Sequence, residues 1–338
     1  MATPPLSILL PCRNAASTLA ECLDSIQAQT FADFELVALD DHSTDTTAEL
    51  LHHYAATDSR MRILRNPGTG LVDALNAGLE ATQSKYVARM DGDDLMHPQR
   101  LQRQYRHLQS NPGVHLLGCC ARLFPLEQIG EGYREYMRWQ NGCLSEAQIA
   151  NEIYVESRFA HPSVIFERTP VLRLGGYRKG PFPEDYDLWL RLFQAGLRLE
   201  KIPDQLLEWR ESGDRTSRVD PRYSREAFDR LRARYLARDS RLLARWENSA
   251  IWGAGRKTRQ RCRHLLERGL RPVAWIDIDP RKIGNSIDGV PVVPPEWLRQ
   301  RPKPFVLIYV ANHGARELIG RELEQLGYAK GSDYLAVG

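Results

Sequence analysis

Apolar and polar positions along the first hundred residues follow two alternating periods. Four short, mostly apolar runs have the pattern of strands buried in a sheet: Leu6 to Leu10, Phe34 to Leu39, Met61 to Leu64 and Tyr86 to Met90. Between these runs, apolar side chains recur every three or four positions and predict helices: Leu19, Cys22, Leu23 and Ile26 after a Ser17 cap, then Leu50, Leu51 and Tyr54, then Leu71, Leu75 and Leu79. Strands that alternate with helices over short loops predict βαβ units, a mostly parallel sheet and an α/β fold.

Polar residues follow three of the predicted strands directly. They are Pro11-Cys12-Arg13-Asn14, Asp40-Asp41 and Asp91-Gly92-Asp93-Asp94. In such sheets ligands bind at the carboxyl ends of the strands, so we expect these segments to line one cleft of nucleotide size.

The acidic turn, residues 91–94, has three carboxylates within four positions. Carboxylates this close repel one another and raise each other's pKa, and a hard divalent cation such as Mg²⁺ or Mn²⁺ would relieve the repulsion. Asp and Gly are also ordinary residues of solvated turns, and the turn alone does not distinguish these two interpretations. Its convergence with the other two strand ends favours the metal site.

Four motifs in this order resemble the nucleotide-binding half of the family 2 glycosyltransferases, which have the GT-A fold. The motifs are Pro11-x-x-Asn14, Asp40-Asp41-x-Ser43-Thr44-Asp45, Gly70-x-x-x-Ala74-x-Asn76-x-Gly78 and Asp91-x-Asp93-Asp94. Each motif is weak alone, whereas the four at the family's intervals are specific.

The resemblance implies a role for each matching residue. Asp41 would accept a hydrogen bond from the base of a nucleotide-diphosphate sugar, with Pro11 and Asn14 lining the base pocket and Gly70 and Asn76 on the donor side. Asp91 would face the ribose, and Asp93 would ligate the Mn²⁺ or Mg²⁺ ion. Asp94 would cap the turn. His42 departs from the family's usual Gly or Asn, and we interpret it as a structural turn residue.

A second motif lies between residues 159 and 193. His161-Pro162-Ser163 is interpreted as part of a strand, and Pro183-Glu184-Asp185 precedes a helix with Leu188, Trp189 and Leu192 on its apolar side. An acidic pair at a helix start is also a common stabiliser of the helix dipole. This order of residues resembles the acceptor half of the same family, in which the Glu184–Asp185 pair would supply the catalytic base, and the family's pattern implies that the base is Asp185. His161 has a secondary, supporting place: it could approach the diphosphate or complete the metal shell, and it fits a packed polar residue equally well.

The central residues give weaker predictions. Pro98 to Gln109 predicts an amphipathic helix, Val114 to Cys119 a strand, and Phe124 to Asn141 an irregular stretch rich in aromatic residues. Tyr133, Tyr136, Trp139 and Trp209 fit a stacking platform for a sugar, and equally fit ordinary core aromatics.

After Trp209 the composition becomes polar and Arg-rich. Pro221 to Arg245 predicts one long helix. We therefore expect a GT-A domain at residues 1–215, an Arg-rich helical linker at 216–247 and an accessory domain at 248–338. The last resembles small Rossmann-like domains: Gly253-x-Gly255 follows a strand at Ala250 to Trp252, and Asp277 follows another at Val273 to Ile276. Phe305 to Ala311 is a further predicted strand. The third glycine of the dinucleotide fingerprint is replaced by Thr258, which favours an accessory or oligomerisation domain over an NAD site.

Composition limits the functional classes. The chain has 338 residues, 42% hydrophobic content and a net charge of +3, which gives no reason to expect a nucleic-acid partner. Its six Cys lack metal-binding spacing, no signal peptide is recognised, and no apolar run is long enough to cross a bilayer. We expect reduced thiols and a cytoplasmic location, with peripheral contact at the inner face of the membrane and homo-oligomerisation through the last domain kept open.

Two functions follow. The favoured one is inverting, metal-dependent transfer of a hexosyl or N-acetylhexosaminyl group from a nucleotide-diphosphate sugar to a glycan or lipid-linked glycan, in surface polysaccharide synthesis. The alternative is a bifunctional or redox sugar-modifying protein whose last domain binds NAD(P).

Overall fold

The computed structural model describes residues 3–213, 215–299, 302–310 and 314–338. The chain forms two compact units. Unit 1 comprises residues 1–149 and 158–219, and unit 2 comprises residues 150–157 and 220–338.

Unit 1 contains an eight-stranded mixed sheet. Its strands are β1 (Leu6–Cys12), β2 (Phe34–Asp40), β3 (Met61–Arg65), β4 (Tyr86–Arg89), β5 (Leu95–Met96), β6 (Val114–Phe124), β7 (Ile165–Glu167) and β8 (Arg198–Arg210). Their order is β3-β2-β1-β4-β7-β6-β8-β5. The first four neighbours are parallel, as the alternation of strands and helices predicts, whereas β7 is antiparallel to both β4 and β6.

Helices cover this sheet and fill the connections between its strands. They are α1 (Leu19–Gln27), α2 (Thr47–Thr57), α3 (Leu71–Ala81), α4 (Arg100–Ser110), α5 (Glu131–Asn141), α6 (Glu146–Glu152), α7 (Arg168–Arg173) and α8 (Glu184–Gln194). The last residues of α6, from Ala150, belong to unit 2, and the short helix α9 (Thr216–Val219) follows β8. Every residue of β1 is buried, and α1 buries Leu19, Cys22, Leu23 and Ile26, the same four residues whose spacing predicts the helix.

Two predictions about helices of unit 1 are wrong. The residue before α1 is Thr18, whose side chain makes no capping bond, so Ser17 is not the cap. The stretch 124–141 is not irregular, because α5 occupies most of it. Met137 and Gln140 form the buried side of that helix, three positions apart.

Unit 2 contains a six-stranded sheet in the order β11-β12-β10-β9-β13-β14, parallel except for β11. Its strands are β9 (Ser249–Trp252), β10 (Ala274–Ile276), β11 (Ser286–Ile287), β12 (Val290–Val293), β13 (Phe305–Ile308) and β14 (Tyr334–Ala336). Its helices are α10 (Arg225–Leu236), α11 (Ser240–Leu243), α12 (Arg256–Leu266) and α13 (Ala315–Gln325). The strand predicted to reach Ala311 ends at Ile308, and Ala311 itself lies outside the described residues.

The single long helix predicted over 221–245 is broken into three pieces. Pro221–Tyr223 is a short 3₁₀ turn, and Ser224 then caps α10 by accepting a hydrogen bond from the Ala227 amide at 3.3 Å. Asp239 caps α11 in the same way, accepting from the Arg241 amide at 2.9 Å. Ser and Asp are strong N-caps, so these two residues start new helices inside the apolar period.

None of the helices in the described part of the chain is long and apolar enough to cross a membrane.

Candidate active site

The polar strand ends of unit 1 lie side by side. β1 pairs with β2 on one side and with β4 on the other, so residues 11–14, 40–41 and 91–94 lie at or just after the ends of neighbouring strands, at one edge of the sheet. The Asp41 amide donates to the Cys12 carbonyl at 2.8 Å, which joins two of these ends directly.

Asp41 is held rigidly at this edge. Its carboxylate is 3% exposed and accepts hydrogen bonds from the Gly70 amide at 2.9 Å and from Asn66 Nδ2 at 2.6 Å. Arg13 Nη1 lies 3.6 Å from its second oxygen. Gly70 has φ = 91°, a conformation that other residues rarely adopt, so its amide can approach the carboxylate. The structure therefore places Gly70 as the residue that orients Asp41.

The loops after β1 and β2 are tied together by Asn14. The side-chain oxygen of Asn14 accepts a hydrogen bond from the Thr44 backbone amide at 2.8 Å, and the backbone amide of Asn14 donates to Ser43 Oγ at 3.0 Å. Pro11 is buried in β1 beside this connection. His42 has φ = 56°, and its Nε2 lies 2.8 Å from the Gly68 carbonyl oxygen, which gives it a place in the turn.

The acidic turn brings Asp91, Asp93 and Asp94 together, with one oxygen of each within 4.8 Å of the others. Burial, with the charge of Asp91, raises the pKa of Asp93 to about 6. Burial and both neighbouring carboxylates raise the pKa of Asp94 well above its usual value. These shifts reflect carboxyl groups that are removed from water and lie beside one another.

Asp94 supplies a further indication that a cation fits this turn. Its Oδ1 accepts from the Arg210 amide at 2.7 Å, while Arg210 Nε donates to the Asp93 carbonyl at 2.7 Å. Its Oδ2 is buried and has no hydrogen-bond partner among the residues that the structure describes. A buried carboxylate oxygen without a donor is costly, and a hard divalent cation is the ligand that such an oxygen accepts best.

Arg215 is a functional candidate that the sequence did not reveal. Its Nη1 donates to the Tyr133 hydroxyl at 3.1 Å, and its guanidinium lies 4.3 Å from the centre of the Trp209 ring. Its positive charge lowers the pKa values of Asp93 and Asp94 against the effect of their burial. The sequence feature that could have indicated Arg215 is its position shortly after the end of β8, in a stretch that we interpreted only as polar.

The Glu184–Asp185 pair begins α8. Burial raises the pKa of Asp185 to about 7, and the neighbouring Glu184 adds to the rise, while the Tyr186 amide and Arg89 oppose it. The Tyr186 amide donates to Asp185 Oδ1 at 2.7 Å. Glu184 is buried. A carboxyl group with a pKa near neutrality is suited to taking and returning a proton.

His161 lies in a 3₁₀ turn, His161–Ser163, so its assignment to a strand is wrong. The chain reaches strand geometry only at Ile165, because Pro162 lacks the amide hydrogen that a strand ladder requires. The Nε2 atom of His161 lies 2.9 Å from the Tyr177 hydroxyl, and burial lowers the pKa of His161 well below the usual value. His161 is therefore a neutral, hydrogen-bonded residue.

Asn76 connects α3 to the segment that precedes α8. Its Nδ2 donates to the Tyr177 carbonyl at 2.9 Å, and its Oδ1 accepts from the Tyr177 amide at 2.8 Å. Both ends of the amide are thus used by the backbone at Tyr177, whose hydroxyl in turn contacts His161.

The aromatic residues of α5 and β8 form one cluster. Tyr133 and Tyr136 stack with ring centres 5.7 Å apart, and Trp209 and Trp139 lie at 6.0 Å from Tyr133 and 5.9 Å from Tyr136, respectively. Tyr133, Tyr136 and Trp209 pack against the main core of unit 1. These contacts favour the interpretation as core aromatics.

Comparison with known proteins agrees with this geometry. A model of the family described as Glycosyl transferase family 2 matches residues 7–165. The putative glycosyltransferase EpsE of Bacillus subtilis (strain 168) is 31% identical over 227 residues, covering 65% of this chain and 78% of that protein. The O-antigen biosynthesis glycosyltransferase WbnJ of Escherichia coli is 32% identical over 191 residues, covering 56% and 72%.

Two solved structures share the fold. S. aureus TarS 1–349 in complex with UDP-GlcNAc has a TM-score of 0.58 and 18% identity, with 72% of this chain and 71% of that chain covered. The mannosyltransferase PcManGT from Pyrobaculum calidifontis, in complex with GDP-Man and Mn²⁺, has a TM-score of 0.52 and 21% identity, with 70% and 63% covered.

The chain has a mixed sheet covered by helices, three polar strand ends at one edge of that sheet, and an acidic pair at the start of α8. Together with the matches to known proteins, these features define a glycosyltransferase with a GT-A-like fold. The chain belongs to glycosyl transferase family 2.

Proposed function

We propose that the protein transfers a hexosyl or N-acetylhexosaminyl group, with inversion, from a nucleotide-diphosphate sugar to a hydroxyl of a glycan or lipid-linked glycan in surface polysaccharide synthesis. The observation that carries this proposal is the acidic turn, whose Asp94 Oδ2 has no hydrogen-bond partner among the described residues, in the same unit as the partly buried Asp185, whose pKa lies near neutrality.

The donor's nucleoside end is assigned to the neighbouring strand ends. Asp41 accepts a hydrogen bond from the base, and Pro11 and Asn14 form the wall of its pocket. Gly70 and Asn76 act by position, because Gly70 orients Asp41 and Asn76 holds Tyr177. Asp91 faces the ribose. TarS and PcManGT, which share the fold, are described with UDP-GlcNAc and with GDP-Man, respectively.

The divalent cation is assigned to Asp93, with Asp94 Oδ2 as a second oxygen ligand that the sequence did not suggest. Mn²⁺ or Mg²⁺ bound there would supply positive charge where the leaving diphosphate becomes more negative. Arg215 lies close enough to influence both carboxyl groups and is assigned to the same diphosphate.

Asp185 is assigned as the general base. An acceptor hydroxyl is a weak nucleophile, and a carboxylate within hydrogen-bond reach takes its proton as the oxygen attacks the anomeric carbon. One displacement of this kind inverts the anomeric configuration. Glu184 raises the proton affinity of the base, and the neutral His161 supports Tyr177 on the same side.

Unit 2 is assigned as a Rossmann-like accessory domain, on the basis of its parallel strand order and its Gly253-x-Gly255 turn. The NAD(P) alternative requires Asp277 to bind a ribose. Asp277 already accepts from the Ala254 and Asp279 amides at 2.8 and 2.9 Å and from Lys282 Nζ at 3.0 Å. This observation gives the alternative no support, and an accessory or oligomerisation role remains the assignment for unit 2.

A donor panel tests the proposal. The full chain is heated with UDP-glucose, UDP-GlcNAc, UDP-galactose or GDP-mannose, each with Mn²⁺ or with EDTA. One donor with Mn²⁺ should raise the melting temperature by several degrees, because a ligand of the native state stabilises it by mass action. Asp41→Ala should remove the shift, and the exposed variant Asp33→Asn should retain it. Absence of a shift with every donor across millimolar concentrations would contradict the proposal.

A further inference from the structure

Arg89 is a buried cation beside the acidic turn that the proposed mechanism does not yet use. It is the last residue of β4, and its side chain is 2% exposed. Its Nη1 forms an ion pair with Asp91 Oδ1. Its Nε–H is buried and has no acceptor within the described ranges. A buried donor without an acceptor is unfavourable in a folded protein, which indicates that a ligand brings the missing oxygen.

Arg100 shows that the fold can satisfy a guanidinium at this depth. It is fully buried in α4, and its Nε donates to Gln104 Oε1 at 3.1 Å while its Nη2 donates to the Arg89 carbonyl at 2.9 Å. Its donors are thus used inside the protein. The two arginines differ in this respect although they belong to the same unit and are almost equally buried.

The surroundings of Arg89 place it between the two halves of the site. On the donor side its guanidinium forms the ion pair with Asp91 in the acidic turn. On the acceptor side its backbone amide donates to the Val164 carbonyl at 2.9 Å, directly after the His161–Ser163 turn, and its charge opposes the rise of the Asp185 pKa. Arg89 therefore lies between the acidic turn, assigned to the diphosphate end, and the segment that leads from His161 toward the carboxylate assigned as base. The group that lies between a diphosphate and a base in such a reaction is the sugar being transferred.

We propose that Arg89 is a donor-binding residue whose Nε–H hydrogen-bonds to a hydroxyl oxygen of the transferred sugar. This inference rests on the proposed function and adds a contact to the sugar itself, which none of the other assigned residues makes. The ion pair with Asp91 fixes the guanidinium, so the Nε–H is oriented before the donor arrives.

The test compares two ligands of wild type, Arg89→Lys and Arg89→Gln by calorimetry with Mn²⁺ present. One ligand is the nucleotide sugar that wild type selects from the donor panel, and the other is the matching nucleoside diphosphate, which lacks the sugar. Both substitutions should weaken the binding of the nucleotide sugar about tenfold or more. They should change the affinity for the nucleoside diphosphate by about twofold or less. Arg100→Lys is the matched control and should leave the ratio of the two affinities unchanged.

The outcomes separate the inference from the proposed function. If wild type binds both ligands and the Arg89 variants weaken both equally, Arg89 contacts the diphosphate or is only structural, and the inference fails alone. Unchanged affinities for both ligands would also overturn it. If wild type binds neither ligand, the proposed function fails and the inference with it. Should Arg89→Gln not fold, Arg89→Lys, which keeps the charge but lacks Nε–H, decides the matter.

Discussion

Asp185 combines two properties that conflict in most parts of a protein, since it is partly buried and has to ionise in order to work. Burial and the neighbouring Glu184 raise its pKa to about 7, while the Tyr186 amide and Arg89 limit the rise. The carboxyl group is consequently poised near the pH at which a base must alternate between its two protonation states. This tuning makes the residue useful for catalysis and costly for stability.

The rate of transfer should depend on the ionisation of Asp185. We predict that kcat rises with pH through a single ionisation near pH 7, and that Asp185→Asn lowers kcat at least about 100-fold at pH 8, with the difference shrinking as the pH falls below 7. Nucleotide binding should remain close to that of wild type in this variant. A pH profile of initial rates measures the first expectation, and calorimetry with the nucleoside diphosphate measures the second. Transfer by Asp185→Asn at the wild-type rate would show that the base is another residue.

The contribution of Asp185 to the stability of the fold should change with pH in the opposite direction to the rate. Because the pKa of Asp185 is raised in the folded state, its favourable contribution is present below the unfolded value near 4 and is lost as the pH rises through about 7. Metal-free Asp185→Asn should therefore melt several degrees above wild type at pH 8, and the difference should shrink toward pH 4. Melting curves followed by circular dichroism measure this difference. The prediction is contradicted if the melting temperature of Asp185→Asn relative to that of wild type is lower at pH 8 than at pH 4.

At the scale of elements, the strands and helices of the donor half follow from apolar spacing because β1, β2 and β4 are buried and the helices between them pack an apolar face on the sheet. The positions of Asp41 and of the acidic turn follow in turn, since parallel strands bring their carboxyl ends to one edge. Other features depend on capping or on distant contacts. The break before α11 depends on a single Asp239 cap, and the placement of Arg215 beside Asp93 and Asp94 depends on where β8 ends in the sheet.

The contact between α3 and the segment before α8 also depends on residues that are distant in the sequence. Asn76→Ala removes two hydrogen bonds to the Tyr177 backbone, and should cost about 1–3 kcal/mol of unfolding free energy and lower kcat, because Tyr177 no longer supports His161. Asn141 is the matched control, since its amide makes the same pair of bonds to the Ala121 backbone. Urea unfolding and initial rates measure both effects. Equal loss of kcat in Asn141→Ala would contradict a specific role for Asn76.

At the scale of the whole molecule, charge is distributed unequally. Unit 1 has 23 Lys and Arg against 27 Asp and Glu, whereas unit 2 has 23 against 16. The helix α12 has five Lys and Arg and no acidic residue, and its Arg256, Lys257 and Arg259 are exposed. Clustered cations of this kind attract an anionic lipid surface, which is where a lipid-linked acceptor would lie.

Peripheral membrane contact is proposed to depend on this face of α12. The full chain should bind vesicles that contain about one third phosphatidylglycerol and should bind pure phosphatidylcholine vesicles weakly, and added salt should release it. Replacing Arg256, Lys257 and Arg259 by Glu should abolish the binding, while Arg106→Glu with Arg173→Glu in unit 1 serves as the control. Flotation of the protein with the vesicles is the measurement. Undiminished flotation of the α12 variant would exclude this surface.

The central claim is that carboxylates of the acidic turn hold a catalytic divalent cation, and the most direct measurement is release of nucleoside diphosphate from the selected donor during a Mn²⁺ titration. Wild type and Asp33→Asn should be inactive in EDTA and should recover fully as Mn²⁺ is added. Asp93→Asn should stay at least about 100-fold slower at every Mn²⁺ concentration. Wild-type turnover in EDTA, or full recovery of Asp93→Asn, would contradict the account.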